Sequence, residues 1–329
     1  MKSLFDTMLL RRTELKNRVW RSATWLGLAD DKGFVTDDII STYEALADGG
    51  AALLVTGLTS ISATDARIGG ECKFYDDRFV ASHRRLTDAV HHHGARILLQ
   101  TAMVDGPVDE LSTTEVDDVV SAFGDAARRA EQAGYDGVQI HAAHFFYLSR
   151  FISPLYNHRT DRYGGAHILP TILSDMRSKT SADFLITIKI NTTDEYPGGM
   201  TEEDFIAACK LLCCRRDACG PGVDAIEVSA NGTSRQGIRA GVNEGSFLHA
   251  AARLADEVDV PVALVGGLRS LEFIDHVLNT TKIEYISLSR PLVREPALIR
   301  RWQQGDTRPS LCVSCNSCYR TAGHQCVFQ

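Results

Sequence analysis

The sequence of 329 residues contains no apolar run of roughly 18 residues, the length that a membrane-spanning helix needs. It also lacks a basic excess, because Lys and Arg number 35 against 42 Asp and Glu, and no basic stripe typical of nucleic-acid binders is present. No small-residue cleavage site follows the N-terminal stretch MKSLFDTMLLRR. We therefore expect a cytoplasmic protein without membrane or nucleic-acid partners.

A Gly-rich phosphate-binding turn is missing after the first β-rich run, near Arg21, which argues against a doubly wound open sheet. Instead, short β-rich runs alternate with longer amphipathic stretches. The runs are RVWRSA, AALLVTG, ARILLQT, GVQIHAA, FLITIKI, DAIEVSA, VALVGG and EYISLSR. They predict an α/β fold, a single-domain TIM (β/α)8 barrel over residues 1–305, followed by a cysteine-rich tail over residues 306–329.

The runs end in polar or glycine-rich residues, and in a TIM barrel the chemistry lies in the loops that follow the strands. Together these ends predict a ring of polar groups around one mouth of the barrel. The candidate residues are Ser22, Ala23, Thr24, Thr56, Gly57, Gln100, His141, His144, Lys189, Asn191, Ser229, Ala230, Asn231, Gly266, Gly267, Ser289 and Arg290.

Two of these candidates open the stretch HAAHFFYLSRFISPLYNHRTDRYGG, which runs from His141 to Gly165. A zinc site here would lack a third ligand, because HAAHFFYLSR contains no Glu and the H-E-x-x-H pattern is absent. A strand-end histidine can also be a satisfied structural residue. The residues alone leave the structural and catalytic interpretations open.

The ordered motifs resemble those of the Old Yellow Enzyme family of NADH:flavin oxidoreductases. LKNRVWRSAT, LLVTG, RILLQ, the histidine stretch, LITIKIN, VGGL, ISLSRPLVREP and CVSCNSC follow the family's order and span essentially the whole chain. The resemblance implies a TIM barrel that holds FMN at its C-terminal mouth. It also implies ping-pong hydride transfer from NADH or NADPH, through flavin N5, to activated C=C bonds such as those of enones.

The resemblance also assigns roles around the flavin ring. Ser22 to Thr24 would begin the flavin site, Gly57 would lie beneath the ring, and Gln100 would bond to its polar edge. Lys189 falls where the family places a basic residue near flavin N1 and the C2 carbonyl. A fixed cation there would stabilise the negative charge that develops on flavin reduction.

The remaining flavin contacts would form a phosphate cradle. The resemblance assigns this role to Gly266, Gly267, Ser289 and Arg290. Open backbone N–H groups and an arginine fork suit a dianion, and barrels often bind phosphate in the loops after strands seven and eight.

The histidine pair would act on the substrate. The resemblance implies that His141 and His144 donate hydrogen bonds to a substrate oxygen, which makes the β-carbon electron-poor. Relatives commonly carry Gly-Tyr after the second histidine, and that tyrosine is the proposed acid. Here Phe145 and Phe146 stand in those positions, with Tyr147 one residue later. Because a phenyl ring cannot donate a proton, Tyr147 is the candidate acid, with another donor or water as open alternatives.

The tail carries Cys312, Cys315, Cys318 and Cys326 in the spacing C-x2-C-x2-C-x7-C, which is typical of metal ligands. Larger relatives hold a four-iron four-sulfur cluster on a similar tail and pass electrons to it from a second flavin domain. Because this sequence ends before such a domain, we favour free thiols over an iron-sulfur cluster or zinc. The other five cysteines follow no ligand spacing.

A different function follows from Lys189 alone. A lysine at a barrel strand end in an apolar run can serve as a Schiff-base nucleophile, so a TIM-barrel lyase or aldolase is the alternative. Either enzyme would take a small-molecule substrate. The sequence leaves open the acceptor, the choice between NADH and NADPH, and whether the protein is a homo-oligomer.

Overall fold

The computed structural model describes residues 1–65, 68–213, 222–231 and 235–328, and a parallel barrel occupies its centre. The strands are β1 (Met8–Leu10), β2 (Thr13–Leu15), β3 (Val19–Arg21), β4 (Leu53–Val55), β5 (Thr59–Ser60), β6 (Cys72–Lys73), β7 (Arg96–Ala102), β8 (Gly137–Ala142), β9 (Leu185–Asn191), β10 (Ala225–Ser229), β11 (Val262–Leu264) and β12 (Tyr285–Leu288).

The helices are α1 (Asp37–Asp48), α2 (Val80–His92), α3 (Thr113–Gln132), α4 (Tyr147–Phe151), α5 (Ile168–Lys179), α6 (Glu202–Leu212), α7 (Leu248–Glu257), α8 (Leu271–Thr280), α9 (Arg290–Arg294) and α10 (Leu298–Gln303). In the described part of the chain, no helix has the length and apolar character needed to cross a membrane.

The barrel closes because its parallel strands pair in the order β3, β12, β11, β10, β9, β8, β7, β4, and β4 in turn pairs with β3. These eight strands coincide with the eight predicted runs, so the predicted single-domain TIM barrel is confirmed. The short strands β5 and β6 extend the sheet beside the end of β7. The hairpin of β1 and β2 is antiparallel and separate from the ring.

Every second strand residue points into the barrel, so successive inward residues form successive layers of the interior. In this barrel an apolar layer is followed by a polar layer. The apolar layer is closed by Leu10 and Leu15 of the hairpin and includes Trp20, Leu53, Leu98, Leu185, Ala225, Ala263 and Tyr285. Two residues further along five of these strands, the inward positions are polar, and these residues are also buried: Ser22, Gln100, Thr187, Glu227 and Ser287. The corresponding residues after Leu53 and Ala263 are Val55 and Val265. The polar layer therefore lies toward the carboxyl ends of the strands, where TIM-barrel sites are found.

Helix ends are encoded locally. At the start of α3, the Ser112 hydroxyl accepts from the Glu115 N–H while the Glu115 carboxylate accepts from the Ser112 N–H, which is a capping box. Thr201 and Asp204 repeat this arrangement at α6. After α3, Gly134 adopts φ 84°, a left-handed conformation that glycine supplies without a steric cost. The capping boxes and the left-handed glycine therefore fix where these helices begin and end, and so where the chain returns to the barrel.

Candidate active site

One cavity of about 360 Å³ opens at the carboxyl ends of the barrel strands, within the size range of small-molecule sites. The residues predicted to bind the flavin or to act on the substrate line this cavity, with the exception of Gly57 and the candidate acid Tyr147. The residues brought together are Ser22, Ala23, Thr24, Gln100, His141, His144, Lys189, Gly266, Gly267, Ser289 and Arg290.

A buried ion pair forms the floor of this cavity. Lys189 and Glu227 are register partners on β9 and β10, and Lys189 Nζ lies 3.2 Å from Glu227 Oε1. Lys189 Nζ also donates to Ser22 Oγ at 2.8 Å, and the Ser22 and Ser287 hydroxyls each donate to Glu227 at 2.7 Å. Burial alone would raise the pKa of Glu227, but Lys189 and these donors hold it below its usual value. The carboxylate thereby compensates a lysine cation that faces the cavity.

The same carboxylate orients Gln100. Gln139 Nε2 donates to Glu227 Oε2 at 2.8 Å, and Gln139 Oε1 accepts from Gln100 Nε2 at 2.8 Å. The three residues predicted at the polar edge of the flavin, Ser22, Gln100 and Lys189, are therefore all connected to Glu227. A change at Glu227 would alter all three contacts together.

The two histidines lie side by side at the end of β8, with ring centroids 5.2 Å apart and ring planes at 72°. His141 is buried, and its Nδ1 has no hydrogen-bond partner among the described residues. His144 shares a 2.9 Å hydrogen bond with Ser229 Oγ through Nε2. Burial, with His144 and Lys189 nearby, holds the pKa of His141 well below its usual value, and burial together with Lys189 lowers the pKa of His144 to about 3. Both rings are therefore neutral near pH 7, and each carries one N–H donor.

The backbone that presents the second histidine is strained. His144 and Phe145 have φ values of 63° and 60°, in the left-handed region that costs a side-chain-bearing residue about 1–3 kcal/mol. Two hydrogen bonds hold the turn, from His144 N–H to Asn191 Oδ1 at 3.1 Å and from Phe145 N–H to Ser149 Oγ at 3.3 Å. Asn191, at the end of β9, thus fixes the position of a residue that follows β8.

The aromatic residues after the histidines separate into different environments. Phe146 lines the cavity, and its ring centroid lies 4.9 Å from that of His141. Tyr147 does not line this cavity, because its buried ring packs against Phe151 and Gly106. Its hydroxyl has no hydrogen-bond partner among the described residues, and burial raises its pKa to about 12. The prediction that Tyr147 is the acid receives no support from this arrangement.

The predicted phosphate cradle has an open backbone. Gly266 and Gly267 have φ values of 109° and 77°, and a Cβ atom at Gly266 would lie 2.6 Å from the Phe247 ring. Glycine is therefore required at position 266. Arg290 is buried at the cavity wall, where its Nη1 donates to Arg235 O at 2.8 Å and to Asn316 Oδ1 at 2.5 Å. Arg290 therefore lines the cavity and also hydrogen bonds to Asn316 of the tail.

Gly57 lies next to the main cavity rather than in its wall. A Cβ atom there would lie 2.7 Å from Thr24 O and 2.9 Å from Trp25 Cα, and its N–H donates to Tyr43 Oη at 2.9 Å. It lines a separate cavity of about 30 Å³. Gly57 therefore supports the Thr24–Trp25 segment by close packing, and the structure does not place it against the space that would hold the flavin.

The four tail cysteines converge on a third cavity of about 20 Å³: Cys312, Cys315, Cys318 and Cys326. None of the four forms a disulfide, and within the described ranges no group of three His, Cys, Asp or Glu residues could hold a metal ion. Their side chains are thus brought together, and our expectation of free thiols rather than a cluster stays a prediction. Of the remaining cysteines, Cys214 and Cys219 lie outside the described residues.

Several residues of the site were not predicted. Glu227 occupies an inward position two residues before Ser229, and this alternation within the run AIEVS was the available signal. Further examples are Trp25 and Arg269, which lie in loops after strands, and Tyr319 and His324, which lie in short 3-10 helices of the tail where no longer periodic pattern applies.

Comparison with known proteins places this geometry in a family. The profile of the NADH:flavin oxidoreductase / NADH oxidase family matches residues 3–108 and 103–308. The chain is similar to the old yellow enzyme homologue from Zymomonas mobilis, with a TM-score of 0.75 at 21% identity, covering 95% of this chain and 96% of that one. At that identity the likeness supports the fold alone.

Curated relatives differ in length. The chain is 27% identical to the 4,4'-dithiodibutanoate disulfide reductase of Rhodococcus erythropolis (99% of this chain, 95% of that protein) and 30% identical to an NADPH dehydrogenase of Listeria innocua (90% and 93%). It is also 30% identical to a metal reductase of Desulforamulus reducens, covering 96% of this chain but 51% of that protein. The chain therefore spans about half the length of some of the curated relatives it matches.

Proposed function

The chain belongs to the NADH:flavin oxidoreductase / NADH oxidase family, and we propose that it binds FMN in the 360 Å³ cavity and uses NADH or NADPH to reduce activated C=C bonds, such as those of enones. When bound there, FMN would supply a carrier that takes hydride from the nicotinamide and passes it to the acceptor.

The observation that carries this proposal is a fixed cation and a neutral histidine pair in one cavity wall. Lys189, Gln100 and Ser22 form a hydrogen-bonded polar surface suited to the electron-rich edge of a flavin. His141 Nδ1 is buried without a partner among the described residues, so a bound ligand could satisfy it. These groups match the chemistry of the proposed cofactor and substrate.

The histidines would bind the substrate oxygen and polarise it. A neutral imidazole donates one hydrogen bond without transferring its proton, which stabilises charge that develops on that oxygen. The strained His144 turn, fixed by Asn191, would keep the two donors in one orientation. Their low pKa values mean that this donor function does not titrate near neutral pH.

Phe146 favours a second group of acceptors for the same cavity. Because no hydroxyl is present at this position, acceptors that need no proton at carbon would be reduced more readily than alkenes. Relatives named as a disulfide reductase and a metal reductase are consistent with this group of acceptors. Comparison of an enone, an aliphatic disulfide and a ferric chelate as oxidants of the reduced enzyme would rank the two groups.

The lyase or aldolase alternative fits the site less well. A Schiff base forms from a neutral amine, whereas Lys189 lies buried at 3.2 Å from the Glu227 carboxylate, which stabilises the ammonium form. A carbonyl substrate would also have to displace Ser22, which accepts a hydrogen bond from the same Nζ.

Anaerobic purification tests the proposal. We expect a yellow protein that releases FMN on denaturation, is bleached by NADH or NADPH, and regains its colour when an acceptor is added. A colourless protein that fails to bind added FMN would contradict the proposal. Covalent trapping of a carbonyl substrate on Lys189 by borohydride would favour the alternative.

A further inference from the structure

The tail that follows α10 is attached to the wall of the main cavity. Arg269 Nη2 donates to Ser314 Oγ at 2.8 Å, and Arg290 Nη1 donates to Asn316 Oδ1 at 2.5 Å. Both arginines also line the cavity. The tail is therefore held by two arginines of the cavity wall, one of which, Arg290, belongs to the predicted phosphate cradle.

The end of the tail lies at the mouth of the main cavity, where the backbone of Gly323 packs closely against the Leu28 side chain. Gly323 adopts φ 67°, and a Cβ atom there would lie 3.0 Å from Leu28 Cδ1. The next residue, His324, then packs edge-on against Trp25 and Tyr319, with ring centroids 5.4 Å and 4.9 Å away. All three rings line the main cavity and form an aromatic wall.

His324 has an unmet hydrogen-bonding capacity. It is only 5% exposed, and its Nε2 is buried with no partner among the described residues. Burial, with Arg21 nearby, lowers its pKa, so the ring is neutral near pH 7. A buried polar atom without a partner is destabilising, and a ligand in the cavity could supply the missing partner.

The position of this wall indicates which ligand that is. Trp25 follows β3, and Arg290 follows β12, the neighbour of β3 in the barrel. The histidine pair follows β8, which is separated from β3 by β4 and β7. We propose that His324 is a binding residue of the FMN site, an inference that rests on the proposed function. Its Nε2 hydrogen bonds to the flavin, and its ring closes the cavity beside the flavin.

Two substitutions separate the polar atom from the ring. His324→Phe keeps an aromatic ring and loses Nε2, whereas His324→Gln keeps a polar tip and loses the ring. His276→Phe, at an exposed position on α8, is the matched control. FMN affinity is measured by fluorescence titration of the apoprotein, and the visible spectrum of bound flavin is recorded for each variant.

We expect His324→Phe to weaken FMN binding about fivefold to tenfold, the effect of one lost hydrogen bond, and to shift the flavin spectrum. His324→Gln should recover much of the affinity, and His276→Phe should match the unmodified protein. Unchanged affinity and spectrum in His324→Phe would overturn the inference, as would an equal loss in His276→Phe.

Hydrogen exchange on the unmodified protein provides a test that requires no variant to fold. FMN should protect amides in residues 316–328, while the β1–β2 hairpin, at the apolar end of the barrel, should exchange equally with and without FMN. If FMN binds without protecting the tail, the His324 inference fails although the proposed function stands. If the protein binds no FMN, the proposed function itself fails.

Discussion

Phe146→Tyr tests whether the absent hydroxyl limits alkene reduction. The Phe146 ring lines the cavity 4.9 Å from the His141 ring, so a hydroxyl on it enters the space that the histidine pair faces. Positioned general acids contribute about a hundredfold to ten-thousandfold to rate. For a hydroxyl that the surrounding residues were not selected to orient, we expect about tenfold to hundredfold, or roughly 1.4–2.7 kcal/mol of barrier.

The assay isolates the step that needs the proton. Enzyme reduced anaerobically by NADH or NADPH is mixed rapidly with cyclohexenone, and flavin reoxidation is followed by absorbance. Phe146→Tyr should accelerate this phase and leave the rate of flavin reduction by nicotinamide unchanged. Phe145→Tyr is the matched control, because the Phe145 ring contacts Tyr196 and does not line the cavity.

Tyr147→Phe distinguishes the competing explanation. If Tyr147 already donates the proton, this substitution should slow reoxidation sharply, while Phe146→Tyr should change little. The structure favours the opposite result, because the Tyr147 hydroxyl is buried outside the cavity wall. If neither substitution alters reoxidation, the proton comes from solvent or another group, and our account of this loop is refuted.

Four further outcomes are expected. His141→Ala with His144→Ala should preserve FMN binding and reduction by nicotinamide but impair enone turnover; equal loss of both half-reactions in rapid mixing would contradict the assignment. Arg290→Ala should weaken FMN retention in a fluorescence titration, and an equal effect of Asn316→Gly would show that the arginine acts through the tail. Glu227→Gln should destabilise the protein by about 3–5 kcal/mol in urea unfolding, since it leaves the buried Lys189 cation uncompensated, and an unchanged midpoint would refute this. Thermal stability should fall as pH decreases below about 6.5, because histidines that are buried and neutral in the folded protein bind protons in the unfolded chain. The buried histidines with lowered pKa values are His83, His141, His144 and His324, and each contributes up to about 1.4 kcal/mol per pH unit. A melting temperature that stays constant between about pH 7.5 and 5.5 would contradict this role.

The barrel was predictable because its signals are periodic and local. Each buried parallel strand appears in the sequence as a short apolar run, and the polar residues at the run ends identify the mouth. Most of the segment AHILPTILSDMR lies in the helix α5 although it contains a proline, since Pro170 lies in the first turn, where a missing N–H is tolerated. The same logic, extended one step inward along β10, would have identified Glu227.

Contacts made by irregular segments were not predictable in this way. Tyr147 follows Phe146 directly, yet of these two rings the cavity is lined by that of Phe146, after a left-handed turn at His144 and Phe145. His324 lies far along the chain from Trp25, and the glycine before it packs closely against Leu28. Neither turn geometry nor close packing has a periodic signature.

The hydrogen bonds within the site limit how far mutation can measure the contribution of each residue by itself. Glu227 bonds to Ser22 and pairs with Lys189, and through Gln139 it also orients Gln100, so these groups form one unit. Substitutions within such a unit are not additive, since each leaves the same buried carboxylate or its partners unsatisfied. The histidine pair lies outside these bonds: His144 bonds to Ser229 and Asn191 instead. Gln100 and Gln139 substitutions should therefore not add in a double-mutant cycle on FMN affinity, whereas substitution of the histidines should leave FMN affinity unchanged whether Gln100 is present or not; a departure from either pattern would contradict this division of the site.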